Sequence, residues 1–432
     1  MTFEEARDYL LSLGNEVSAM KLGLESMTKL LDALGDPQKN YLKVQVAGTN
    51  GKGSVCAFLD SICRSAGLES GLFTSPHLVS ITERVQINGS PITESEFAKF
   101  ARQVRKTSEE LVDRRELTNV PTFFEQVTAI ALVAFADYGV PIAVLETGLG
   151  GRLDATTAAS AEIAAITRID LDHQEYLGDT IEQIASEKAA IIHLGSIVCV
   201  GRQFPEAYEM ILGRCEELHI VPNTLESVAW DGDGELANFK VGISRYENVA
   251  VSLAGEHQLE NAALAILIAQ QLRHFPQMSD KNIVRGLETA RHPGRLEFAS
   301  VGRAQIVFDG AHNLSGARAL ADYLRRRQNG AQIALVYGSM SDKDYFAILE
   351  ILLPLVRDVI FTRSTNSRAV PANDLARSDV VRRYATEPFA IESVSDALDA
   401  AIQLADTYPS TRPAIVLVTG SLYLVGEAKA IL

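Results

Sequence analysis

The sequence predicts an α/β protein of two domains, each built on a sheet whose strands run mostly parallel. Three observations carry that expectation. Short β-branched runs alternate with helical stretches along most of the chain, the rhythm of parallel sheets covered by helices. The strand Lys43–Ala47 runs through the loop Gly48-Thr49-Asn50-Gly51-Lys52-Gly53-Ser54 straight into helical apolar spacing over Val55–Ala66. At His292-Pro293-Gly294-Arg295 the periodicity breaks, and beyond it the rhythm restarts. At 432 residues the chain is too long for one ordinary core. The expected division is a larger domain over 1–295, with a P-loop-type, mostly parallel sheet, and a smaller Rossmann-like α/β domain over 296–432.

Thr2–Leu34 reads as two amphipathic helices, with Leu22, Met27, Leu30, Leu31 and Leu34 at helical spacing. After the glycine loop, Gly71–Phe73 is a strand ending in the polar turn Thr74-Ser75-Pro76-His77. Val85–Ile87 is a further short strand that turns at Asn88-Gly89. Thr93 followed by Glu96 spells a capping box at the start of a helix. Thr122–Tyr138 is a long apolar helix, and Pro141–Leu145 a buried strand ending at Glu146, before the glycine-rich loop Gly148–Gly151. Ile163–Thr167 is a strand leading into Arg168-Ile169-Asp170-Leu171-Asp172-His173, and Thr180–Ile192 is helical. Ser196–Leu253 is expected to alternate short strands and turns, and Gln258–Phe275 to form an alanine-rich helix. In the second domain, strands are expected at Gln305–Phe308, Ile333–Tyr337, Val359–Thr362 and Ala414–Val418. Helices follow near Gly316, Tyr345, Val394 and Tyr423.

Composition narrows the function. A net charge of −15 leaves no broad basic field for nucleic acid or an anionic membrane, so neither is expected as a partner. An anionic substrate then needs locally focused cations. The four cysteines, Cys56, Cys63, Cys199 and Cys215, lack close metal spacing and read as reduced thiols, with Cys56 and Cys63 on the packed face of their helix. The segment MTFEEARDYL is acidic and amphipathic, unlike a signal peptide. The longest apolar stretch, Val127–Leu145, is interrupted by Asp137, Gly139 and Pro141, so it reads as helix then strand rather than a membrane span. A cytoplasmic location is the expectation.

A glycine loop between strand and helix is the setting of a phosphate-binding loop, because backbone N–H groups turn toward one anion at the positive end of the helix. Lys52 adds a mobile cation, and the Thr49 and Ser54 hydroxyls are within reach of phosphate or Mg²⁺. The spelling departs from the general pattern at Val46, where a glycine is usual, and at Gly53, where Ser or Thr is usual. Glu146, at the carboxyl end of a parallel strand, is either a holder of Mg²⁺ or a solvated acid. His173 is either a metal ligand oriented by Asp170 or Asp172, or a structural histidine. Ser75 offers a hydroxyl to the same ion or is a turn serine, and Lys188 by itself reads as a solvated surface lysine. In the second domain, Asp309 and His312 lie in a strand-end loop, where open α/β sheets carry ligands, and Arg295 is suited to clamping a phosphate.

Taken together, these stretches resemble the folylpolyglutamate synthase/dihydrofolate synthase family of the Mur ligase superfamily. The resemblance covers most of the chain in the right order: GTNGKGS, Thr74–Leu78 with Thr82–Val85, Thr122–Glu125, Glu146 with Gly148–Thr156, and Asp172-His173 with Tyr176–Gly178. Glu187–Ala189, His257-Gln258 with Asn261–Ala263, Pro293–Arg295, Asp309–Asn313 and Asp342–Asp344 complete it. It implies an ATP-dependent ligase that joins L-glutamate to a folate, or to dihydropteroate, through an acyl phosphate. ATP would bind at Asn50, Gly51, Lys52, Gly53 and Ser54, with Asn261, Arg295 and Asp309. Two Mg²⁺ ions would be held with Ser75, Glu146 and His173, and Lys188 would be carbamylated to help place the second. The pterin substrate would lie near Thr122, Phe123, Phe124, Glu125, Leu153, Asp154 and Ala155. Lys52 and Lys188 would serve the chemistry, His312 would help hold glutamate, and the family implies a monomer. Gln174, Ala190 and Leu314 depart from the usual threonine, glycine and proline. Two other readings compete: a P-loop ATPase coupled to a partner, and a ligase acting on a UDP-muramyl precursor.

Overall fold

The structure is a computed structural model that describes residues 1–14, 23–225, 228–232, 236–327, 330–384, 388–409 and 411–432. Leu22, expected on the second helix, lies outside them. The chain forms two compact units: unit 1 is Met1–Ser252 with Gln258–Arg291, and unit 2 is Leu253–His257 with His292–Leu432. The main run of unit 2 begins at His292 rather than at 296, and Leu253–His257 joins it. Local bonding explains the difference, because the Pro-Gly-Arg turn is tied into unit 2. Gly310 N donates to Gly294 O at 2.8 Å, and Leu296 N donates to Asp309 Oδ2 at 3.0 Å.

Unit 1 is built on eight strands: β1 (Leu42–Ala47), β2 (Ser70–Phe73), β3 (Val85–Ile87), β4 (Ser90–Pro91), β5 (Ile142–Glu146), β6 (Ile163–Ile166), β7 (Ile197–Val200) and β8 (Asn223–Thr224). Their order is β4-β3-β2-β5-β1-β6-β7-β8, with β2 through β8 parallel and the β3–β4 hairpin antiparallel at one edge. From β1 the chain steps over to β2, runs out to the β3–β4 edge, returns to β5 between β2 and β1, and then crosses β1 to β6, β7 and β8 on the other side. Loops at the carboxyl ends of strands flanking such a switch point form the ligand crevice of open α/β sheets.

Helices α1 (Phe3–Ser12), α2 (Glu25–Ala33), α3 (Lys52–Ser65), α4 (Glu94–Asp113) and α5 (Phe123–Tyr138) precede β5. The first, second, fourth and fifth close one core through Leu10, Leu30, Phe97 and Phe135. The capping box expected at Thr93 and Glu96 is present, and Thr122 with Glu125 forms another at the start of α5. Next come α6 (Gln174–Leu177), α7 (Ile181–Ala189), α8 (Pro205–Glu217), α9 (His257–Gln271) and α10 (Asp280–Thr289). A second core gathers Ile184 of α7 and Ile211 of α8 against Ala164 and Val198 of the sheet.

Helix α8 corrects the expectation of strands and turns over Ser196–Leu253. Pro205 opens it at a first-turn position, and Ala207, Ile211 and Cys215 make a buried stripe at four-residue spacing. The strands expected there do appear beyond it, as the antiparallel sheet β9 (Val228–Gly232), β10 (Ala237–Val241) and β11 (Ser244–Val249). All four cysteines are buried free thiols. Among the described residues, no helix is long and apolar enough to cross a membrane.

Unit 2 carries β12 (Glu297–Val301), β13 (Ala304–Phe308), β14 (Gln332–Tyr337), β15 (Asp358–Phe361), β16 (Phe389–Ala390) and β17 (Ala414–Thr419), ordered β12-β13-β17-β14-β15-β16. The sheet is parallel except for β12, an unexpected strand that pairs antiparallel with β13 and makes the sheet mixed. Leu320, Leu335, Leu352 and Leu417 anchor its core.

Candidate active site

Register brings the predicted residues of unit 1 to one edge. Val46 of β1 pairs with Glu146, Leu145 with Phe73, and Ala47 with Ile166, so the carboxyl ends of β2, β5, β1 and β6 finish level. At the end of β1 the loop turns at Gly51, which has φ +90° and caps α3. That conformation favours glycine, and a Cβ there would also lie 2.3 Å from Asn261 Oδ1 and displace that side chain. Thr49 N and Asn50 N both donate to Arg168 O, at 2.9 and 3.1 Å. The donors left to face an anion are the amides that open α3, from Gly51 to Ser54, which an α-helix does not pair internally. Asn261, on α9, donates through Nδ2 to Gln258 Oε1 at 2.9 Å.

Two lysines converge on this loop. Lys52 Nζ donates to Gly48 O at 3.0 Å and Thr49 O at 3.2 Å. Lys188 Nζ, from α7, donates to the same Gly48 O at 2.9 Å. Lys188 is only 4 % exposed, which corrects its reading as a solvated surface lysine. Burial first, and then the charge of Lys52, lowers its pKa to about 7, with Asp172 and Asp154 opposing.

Glu146 is buried at the tip of β5, and Ser75 N donates to its Oε2 at 3.1 Å. His173 sits beyond β6 in left-handed conformation, with φ +50°, at the start of α6. Of Asp170 and Asp172, it is Asp172 that stands beside the ring: Asp172 Oδ1 accepts from His173 N at 2.9 Å and lies 4.0 Å from Nε2. Asp170 Oδ1 instead accepts from Leu171 N. Among the described residues, no group of three His, Cys, Asp or Glu side chains stands close enough to hold a metal by itself. The donor set still suits Mg²⁺. That ion is held through one or two carboxylates and completes its shell with phosphate oxygens and water, and here a buried carboxylate and a serine adjoin a phosphate-type loop.

The residues expected near a pterin divide by burial. Thr122, Phe124 and Leu153 keep part of their surface, whereas Phe123, Glu125, Asp154 and Ala155 are buried. Phe124 lies 5.9 Å from Phe73 between ring centroids. Glu125 is engaged at the helix cap, where Thr122 N donates to its Oε2 at 2.7 Å. Asp154 accepts from Gly148 N and Leu149 N through Oδ2, and from Thr156 N and Oγ1 through Oδ1. It therefore organises the loop that carries Leu153, while burial raises its pKa. Arg84, which the resemblance covers within Thr82–Val85 without giving it a role, is 2 % exposed, donates to His77 Nδ1 at 2.8 Å and lies over the Phe123 ring. Two scattered motifs meet in that contact, and nothing in their spacing announces it.

In unit 2, Asp309 follows β13. Its oxygens accept from Leu296 N and Ala311 N at 3.0 Å each, and burial pushes the carboxyl pKa up against the pull of Arg295. His312 Nδ1 lies 2.8 Å from Gly310 O. Arg295, Asp309 and His312 thus belong to one strand-end loop cluster of unit 2.

Residues 46–269 match the Mur ligase middle domain and residues 294–422 the Mur ligase, glutamate ligase domain. The dihydrofolate synthase/folylpolyglutamate synthase of Bacillus subtilis is 35% identical over 437 residues, covering 99% of this chain and 98% of that protein. The chain belongs to the folylpolyglutamate/dihydrofolate synthase family of Mur ligases. Solved members of this family share the fold. Mycobacterium tuberculosis folylpolyglutamate synthase complexed with ADP matches with a TM-score of 0.91 at 30% identity, over 99% of this chain and 98% of that one. The bifunctional enzyme of Yersinia pestis complexed with AMPPNP and Mn ion matches with a TM-score of 0.83 at 29% identity, over 100% and 98%.

Proposed function

We propose that the protein is an ATP-dependent amide ligase that joins L-glutamate to folates, and to dihydropteroate as a second acceptor. The observation that carries this reading is that Lys52 and Lys188 meet on Gly48 O of a phosphate-type loop, at the carboxyl edge where Glu146, bonded by Ser75 N, ends beside Val46.

A carboxylate is a poor electrophile, so amide formation in water needs it phosphorylated first. The amides opening α3 and the Lys52 ammonium neutralise charge on the transferring γ-phosphoryl group. For this, Lys52 leaves the carbonyls of Gly48 and Thr49 and turns toward the phosphates. Ser75, Glu146 and His173 would hold Mg²⁺, which supplies Lewis-acid polarisation of the phosphoryl oxygens when bound. Lys188 reacts as its free amine with CO₂, forming an N–C bond, releasing a proton and leaving a carbamate. Its burial and its lowered pKa support this step, since the uncharged amine is available near neutrality. Thr122, Phe124 and Leu153 face the pterin, with Asp154 and the α5 cap holding them in place. Arg295 and Asp309 act on the nucleotide. His312 orients glutamate, whose α-amino group attacks the acyl phosphate and expels phosphate. The enzyme works as a monomer in the cytoplasm.

The test is incorporation of labelled L-glutamate with dihydropteroate or tetrahydrofolate as acceptor. The reading predicts that ADP formation beyond a single turnover needs acceptor and glutamate together. ADP formation independent of glutamate would instead mark a partner-coupled ATPase.

A further inference from the structure

We infer that Gln203 is a positioning residue for the nucleotide, holding from outside the site the segment Thr167–His173 on which the phosphate loop is built. The inference rests on the nucleotide-binding reading above. Gln203 Nε2 donates to Thr167 O at 2.8 Å, and its Oε1 accepts from Ile169 N at 3.0 Å. Gly201 N donates to Ile166 O at 2.8 Å, so the glutamine amide continues the β6–β7 ladder one step beyond the last backbone pair, as a peptide group would. The ring centroid of the adjacent Phe204 lies 3.8 Å from the Arg168 guanidinium carbon and so engages a side chain of the same segment.

What these braces hold is the receptor for the phosphate loop. Arg168 O, between the two residues gripped by Gln203, accepts both Thr49 N and Asn50 N. One residue further, Asp170 O and N exchange bonds with Thr49 Oγ1 at 3.0 and 3.1 Å. His173 ends the segment. A shift of Arg168 O therefore moves the start of the loop, and with it the amides that open α3. Misplacement by about 1 Å at a reacting site costs on the order of a hundredfold in rate. Gln is suited to this place because it carries a donor and an acceptor at the required reach. Glu lacks the donor, and Met, of similar length, lacks the donor and offers only a weak acceptor.

The experiment measures Mg–AMPPNP affinity by titration calorimetry, KM for ATP and for L-glutamate, and unfolding temperature. It uses the full chain as wild type, Gln203→Met, Gln203→Glu and Phe204→Leu. Gln203→Met is expected to weaken AMPPNP at least tenfold and raise the ATP KM by a similar factor, with the glutamate KM within twofold of wild type. Gln203→Glu, which keeps the bond from Ile169 but sets a carboxylate against Thr167 O, should fall between Met and wild type. Phe204→Leu should weaken AMPPNP two- to fivefold. AMPPNP affinity within twofold of wild type in Gln203→Met, with only the unfolding temperature lowered, overturns the inference. Should Gln203→Met not fold, unaltered AMPPNP affinity in the half-exposed Phe204→Leu overturns it instead. A wild type that binds no AMPPNP overturns the functional reading itself, a result distinct from variants that bind as well as wild type.

Discussion

Gly48 O is a single carbonyl contacted by two lysine amines, and that contact defines the resting loop. Two ammonium groups sharing one acceptor repel each other, and Lys188, the more deeply buried, gives up its proton more readily. Converting Lys188 to a carbamate would remove this conflict and replace a cation with an anion beside the loop. Exhaustive removal of CO₂ and bicarbonate is therefore expected to lower kcat at least tenfold, with recovery when bicarbonate is restored. Lys188→Ala should be inactive and indifferent to bicarbonate. A rate assay under argon, with and without added bicarbonate, checks both. Lys52→Met should lower kcat by roughly a hundredfold, in line with the loss of a charge-stabilising donor at a transition state. Steady-state kinetics at saturating glutamate measure it. Lys52 was readable from the sequence because its loop has a spelling. Lys188 was named only through the resemblance at Glu187–Ala189, and its burial was not readable, since its acceptor lies 140 residues away in the chain.

At the scale of elements, α3 matters most, because the loop amides are its first turn. Helix α10 packs against it so closely that a Cβ on Gly286 would sit 2.4 Å from Ile62 Cα and 2.6 Å from Ile62 N. Backbone cannot yield as a flexible side chain does. Gly286→Ala, which raises helix propensity, should nevertheless destabilise unit 1 by about 1–3 kcal/mol through overpacking. Urea unfolding measures the change, and a variant as stable as wild type would contradict the packing described here. The helix caps were legible, since Thr93 with Glu96 and Thr122 with Glu125 are local patterns. Helix α8 was equally local, with a proline followed by a four-residue apolar stripe, yet it was overlooked among neighbouring strand signals. The antiparallel partner β12 was not legible, because no position of Glu297–Val301 is buried and its one aromatic residue, Phe298, lies on the exposed side of the strand.

For the whole molecule, the excess of 55 acidic over 40 basic residues makes any anion-binding site a local exception to the general field. Mg–AMPPNP should then act as a stabiliser that depends on a few named groups. At a hundred times its Kd it is expected to add about 2.7 kcal/mol to the unfolding free energy by mass action. Lys52→Met should lose most of that increment at the same concentration. Denaturation with and without nucleotide and Mg²⁺ reads the difference, and an equal increment in both proteins would remove Lys52 from the site.

The sequence by itself determined the phosphate-type loop, the alternation of strands and helices, the polar strand ends and the family, because each is written in residues close together along the chain. Tertiary structure alone decided which strand ends meet, that Lys188 is buried against the loop, that Asp172 rather than Asp170 flanks His173, and that Gln203 braces the loop's receptor. The physical reason is that a parallel sheet pairs strands distant in sequence, so neighbours such as Val46 and Glu146 are chosen by packing and register. Burial, and the pKa shifts it causes, follows from that choice.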